Sequence, residues 1–173
     1  IPLADLAHTA NVFPDFTTHN HQGFDTCYQV CNNNLAAPYF IYKRYLGGVP
    51  EWFTWNWAGL HEVTKRLVLR DGHLLWPGGC DYWAYTHIGF CNYHALMAEA
   101  LQCGVSLWCL EKALRRTIEE QRGNPDGSLH GRRIPHMPIG WQAGFAAFLV
   151  LAHVFAPYPG VPELTDGEVA ERT

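Results

Sequence analysis

The chain has 173 residues, with 12 Lys+Arg against 16 Asp+Glu and a formal charge of −4. Domains that hold nucleic acid through phosphate contacts are usually basic, so this balance argues against that class. The length and the 48% hydrophobic against 16% charged content predict one globular core without staples, and 7 Trp, 8 Tyr and 9 Phe serve a core or line an apolar groove.

Residues 1–34 are rich in Asn, His and Thr with weak periodicity and read as an extended N-terminal arm ending in the turn signal Asn32–Asn34. The first residue is Ile1, which fits a processed product; no basic stretch precedes an apolar run as in a signal peptide, and no Asn-x-Ser/Thr sequon occurs. A single domain is expected over 35–157. AAPYFIYKRYLGG is an apolar-aromatic element stopped at Gly47–Gly48, and Phe53, Trp55 and Trp57 alternate as in a strand. In KRLVLRDGHLLW two apolar runs flank Asp71-Gly72, which predicts a hairpin with a type I′ turn. CNYHALMAEALQCG predicts a helix starting near Cys91 and closed by Gly104. SLWCLEKALRRTIEEQRG predicts a second helix, N-capped by Ser106, with Leu107, Leu110, Leu114 and Ile118 on one face. A loop follows to Pro138, then the apolar stretch 139–156, then a Pro/Gly-rich and acidic tail, 158–173, expected to be flexible.

Six cysteines (Cys27, Cys31, Cys80, Cys91, Cys103, Cys109) allow a three-bridge module, but a chain able to build its own core, with Cys103 and Cys109 inside helical patterns, favours reduced thiols. The chemistry-bearing feature is Cys91 at the start of a helix. There the dipole and the first backbone N–H groups favour the nucleophilic thiolate. Histidines that can serve it as base are His61, His73, His87, His94, His130, His136 and His153.

LHEVTKRLVLRDGHLLWPGG followed by FCNYHALMAEALQCGV and an apolar C-terminal segment resembles the lecithin–retinol acyltransferase (H-box/NC) family, which includes the H-box/NC type of picornaviral 2A protein. The H-box of that family leads a His into a strand–Asp/Gly turn–strand unit; its second box runs from an Asn-Cys-x-His-Phe stretch into a helix ending Leu-x-x-Gly-Val. The resemblance implies an α+β fold, papain-like or NlpC-like, with a small antiparallel sheet and the Cys91 helix packed on it. It implies Cys91 as nucleophile, His61 as base and His73 as the orienting group of a thiol-dependent acyl hydrolase or acyltransferase, excised from a viral polyprotein into the host cytoplasm. The same stretch is similar to the nucleophile helix of viral papain-like cysteine proteases, with His136 or His153 as partner. A third reading is a catalytically inactive host-factor-binding protein that uses its Trp-rich surface.

Three further features call for other partners. His19, His21, Cys27 and Cys31 offer the donor types of a tetrahedral zinc site; no other cofactor is expected. The stretch 139–156 is either a core helix or a peripheral membrane contact that brings a lipid acyl chain to the thiol. Arg115–Arg116 and Arg132–Arg133 are solvated or face an anionic group.

Overall fold

CNYHALMAEAL is built of strong helix formers and is apolar almost all round, the pattern of a helix at the centre of a core. The computed structural model describes residues 12–20, 23–30, 34–75, 90–127, 147, 149–150, 152–154 and 156–173, and places this helix at its middle. The described elements are β1 (His19–Asn20), β2 (Gly23–Phe24), α1 (Thr26–Gln29), α2 (Ala36–Tyr45), a 3₁₀ turn (Glu51–Thr54), α3 (Trp57–Lys65), α4 (Cys91–Leu101), α5 (Gly104–Gly123) and α6 (Asp166–Ala170). Every residue of α4 from Cys91 to Glu99 is buried.

Helices α4 and α5 form the main helix pair, and α2 lies against α4. Inward residues Leu107, Leu110 and Ala113 of α5 join Leu96, Met97 and Tyr93 of α4 in one apolar core, with Tyr39 and Trp57 from the other helices. Leu107 and Leu110 are on the expected buried face of α5, whereas Ile118 is exposed.

Of the expected α+β pairing, the helices are present. Among the described residues the sheet is a two-stranded antiparallel ribbon, β1–β2, with His19 opposite Phe24, plus isolated bridges Val12–Thr18 and Val68–Leu74. The alternating Phe53, Trp55 and Trp57 do not form a strand. Pro50 opens the 3₁₀ turn, Asn56 takes a left-handed conformation with φ of 64°, and Trp57 starts α3. Ring contacts Tyr42–Phe53 and Phe53–Trp57, at 5.3 and 5.7 Å, tie the turn to α2 and α3. Trp52 and Trp55 remain exposed.

At Asp71-Gly72 the chain does reverse, but not through the expected two-residue turn. Gly72 N–H donates to Leu69 O and Leu69 N–H to His73 O, giving a three-residue connection with only Gly72, at φ +84°, in the left-handed region. That geometry is a type I turn closed by a glycine bulge. The Gly also has a packing reason: a Cβ there would lie 2.8 Å from Lys112 Cβ.

The described part of the N-terminal segment is held to the core. Gln29 is buried and saturated: its Oε1 accepts from Thr18 N and Oγ1, and its Nε2 donates to Phe16 O and Leu60 O, all at 3.0 Å. Where a flexible tail is expected, Tyr158, Val161 and Val169 are buried, and α6 opens with a capping box between Thr165 and Glu168. Of 139–156, residues 147, 149–150, 152–154 and 156 are described, all but the last helical, with Ala152 buried and Val150, His153 and Val154 exposed. Among the described residues no helix is long and apolar enough to cross a membrane.

Candidate active site

The corner between α4 and α5 is two residues long. Gln102, with φ of 52°, ends α4 in the left-handed conformation, and Cys103 is the N-cap of the twenty-residue α5. Gly104 does not close α4; it opens α5. A Cβ on it would sit 2.4 Å from the Pro162 carbonyl oxygen and 2.9 Å from the Leu164 side chain, so the C-terminal segment can cross here only over a glycine. Ser106 is likewise no N-cap but a buried residue of the first turn.

This boundary puts a thiol at the positive end of α5, where the first N–H groups have no acceptor inside the helix. His61 on α3 reaches it: Nε2 lies 3.1 Å from Cys103 Sγ and 3.1 Å from Ser106 Oγ. The other ring nitrogen, Nδ1, is 2.8 Å from Tyr93 Oη on α4. Thr64 Oγ1 gives its hydrogen to Leu60 O. With its proton on Nδ1, His61 donates to Tyr93 Oη and keeps a lone pair on Nε2. In this tautomer the Nε2 lone pair faces the sulfur.

The charge states agree with that assignment. Burial lowers the His61 imidazole to about 4, and the neighbouring Lys65 charge pushes the same way, so the ring is neutral at physiological pH. Burial raises the Tyr93 phenol above its ordinary value, so it stays protonated. Three helices thus supply the parts: α3 the imidazole, α4 the group that orients it, and the α5 N-terminus the thiol.

Cys103 and His61 line one pocket of 380 Å³, together with Leu101, Val105 and Pro162 as apolar wall and Glu62, Lys65 and Arg172 at its polar side. Ser106 is fully buried and is not part of the pocket wall, so of the two groups sharing Nε2 only the thiol meets a bound molecule.

The three expected site residues, Cys91, His61 and His73, are not brought together. Cys91 does begin α4, but it is fully buried and its thiol is pushed up to about 12 by that burial, which removes the reason for choosing it. His73 does not orient His61. It sits on the reversing turn, 2.9 Å from Asp71 Oδ2 and against Arg116. Arg116 is roughly 20 Å further along α5 than Cys103, from the rise per residue between those positions. Of the three, His61 is the one beside Cys103, and Tyr93 is the group at its other ring nitrogen.

The sequence hid Cys103 because Gly104 reads as a stop and Ser106 as a cap; the α4–α5 boundary misplaced by two residues turns an N-cap thiol into an interior one. For the protease alternative, His153 is exposed while Cys91 is sealed, and His136 lies outside the described residues, as do His87 and His130.

Of the zinc ligands, His21 and Cys31 also lie outside the described residues; His19 is exposed with its ring 4.4 Å from Phe13. Among the described residues no group of three or more His, Cys, Asp or Glu comes together as a metal site. Arg116 is engaged by Asp71, donating to its backbone oxygen at 3.0 Å, and Arg132–Arg133 lie outside the described residues. The four described cysteines, Cys27, Cys91, Cys103 and Cys109, are thiols. Searches against known protein families, characterised proteins and solved structures found no match to this chain.

Proposed function

We propose that the protein is a thiol-dependent acyl hydrolase or acyltransferase in which Cys103 is the nucleophile, His61 the base and Tyr93 the positioning residue. The observation that carries this is a sulfur at the N-cap of α5, 3.1 Å from the Nε2 of an oriented imidazole, on the wall of a pocket. A thiol and a base within hydrogen-bond reach, with the base held by a third group, is the arrangement that nucleophilic catalysis needs.

Cys103 Sγ attacks the carbonyl carbon of an ester or amide while its proton passes to His61 Nε2. The carbonyl oxygen takes the electron pair as an oxyanion, met by N–H groups of the first turn of α5. As the C–O or C–N bond breaks, His61 returns the proton to the leaving group. The thioester is then released by water in a hydrolase, or by an acceptor hydroxyl or amine in a transferase, with His61 again taking the proton.

This keeps the chemistry implied by the H-box/NC resemblance and moves the nucleophile along the same motif, from the Cys that opens FCNYHALMAEALQCGV to the Cys inside its LQCGV ending. The papain-like sheet is no part of the reading, since α3, α4 and α5 suffice to hold the pair.

An activated ester such as p-nitrophenyl acetate tests it. The wild type gives a burst of nitrophenolate equal to the enzyme present, with the acyl group found on Cys103 by peptide mass mapping. Cys103→Ala removes the burst, His61→Asn slows it by about 10²–10⁴-fold, and Cys91→Ala keeps it. A burst that survives Cys103→Ala, or maps to another cysteine, overturns the assignment.

A further inference from the structure

The polar side of the Cys103 pocket carries a charge opposite to that of the whole chain. Its lining has two cations, Lys65 and Arg172, and one carboxylate, Glu62, in a chain of formal charge −4. Lys65 Nζ lies 2.7 Å from Glu62 Oε1, so those two largely cancel. Arg172 enters no salt bridge among the described residues; Glu168 is the carboxylate that feels its charge. The N-terminal end of α5 adds its partial positive charge beside the sulfur, and His61 adds none while neutral.

Arg172 is brought here by the C-terminal segment, whose course is set by contacts away from the pocket. Trp108 Nε1 donates to Asp166 Oδ1 at 2.8 Å, Lys112 reaches the same carboxylate at 3.1 Å, and Val169 is buried beside Trp108 and Cys109. Arg172 N–H closes the last turn of α6 on Val169 O at 2.9 Å. The C-terminal segment thus brings Arg172 into the lining of the same pocket as apolar Leu101, Val105 and Pro162. A pocket lining that combines a guanidinium with apolar residues is suited to a carboxylate or phosphate attached to a carbon chain.

We infer that the Cys103 pocket selects an anionic acyl donor, one with a negative group near its reacting carbonyl, held by Arg172 with Lys65 in support. The inference rests on Cys103 being the reactive thiol and names the substrate class for that site.

Alkylation by two reagents of similar size and opposite demand tests it. Iodoacetate is anionic and iodoacetamide neutral; the ratio of their rates at Cys103, followed by peptide mass mapping, is compared with the ratio at glutathione. The ratio at Cys103 is expected to exceed that of glutathione, to fall by about threefold to fivefold in Arg172→Gln at low salt, to rise in Glu62→Gln, and to shrink as salt is added. These are surface changes, and far-ultraviolet circular dichroism confirms that the variants keep their helices.

A ratio equal to that of glutathione, or one that Arg172→Gln leaves unchanged, overturns the inference while the nucleophile assignment stands. If the anion preference is present but no burst forms on activated esters, the enzymatic reading falls and takes the acyl-donor assignment with it, leaving an anion-binding thiol pocket. If neither reagent reaches Cys103, both fall.

Discussion

His61 links three consequences at the level of single residues. Its pKa is held at about 4, below the ordinary 6.5, chiefly by burial. Between those values the unfolded chain binds a proton that the folded one refuses. The stability due to the neutral ring is therefore complete above pH 6.5 and is lost as pH falls towards 4, by about 3 kcal/mol for this residue. His94, lowered to about 3 by burial, extends the same trend to lower pH. Urea unfolding at a series of pH values should show the fall, with a shallower slope in His61→Gln; an unchanged slope would contradict it. Tyr93→Phe removes the hydroxyl at Nδ1 and should cost about 1–3 kcal/mol, while slowing acylation at Cys103 more than it alters substrate binding. A loss of stability with no change in the acylation rate would leave Tyr93 a purely structural residue.

At the level of elements, the corner at Gln102–Cys103 shows what local pattern can and cannot tell. Both helices are readable in the sequence, α4 because Ala, Leu, Met and Glu dominate it and α5 because Leu107, Leu110 and Leu114 recur at helical spacing, and the start of α4 at Cys91 agrees with expectation. Their boundary is not readable, because the residue that excludes a side chain at Gly104 is Pro162, far along the chain. Gly104→Ala should lower stability by about 1–3 kcal/mol through overpacking and speed proteolysis in 157–165 as the strap lifts; a neutral substitution would show that the segment yields easily. The folded part of the tail has a local signal: Thr165-x-x-Glu168 is a capping box, and Val169 supplies the apolar anchor. The Trp-rich stretch departs from its local pattern. Its alternation is real, but Pro50 and left-handed Asn56 break the backbone, so Trp57 points into the core and Trp55 to solvent. Trp57→Ala should accordingly cost about 3–5 kcal/mol, and Trp55→Ala less than about 0.5 kcal/mol, by thermal or urea unfolding.

Across the whole molecule, α4 acts as a spacer between two sulfurs of opposite character. Cys91 stands at its first residue and Cys103 two residues past its last, so the helical rise from Cys91 to Leu101 alone sets the two ends of α4 roughly 15 Å apart. A disulfide needs Cα atoms within about 7 Å. Oxidants therefore have no route to a 91–103 cross-link while the helix is intact, and the appearance of that linked peptide in a non-reducing digest reports the melting of α4. Aged or heated preparations can be graded by it: the linked fraction should track denaturant concentration and be absent from native protein.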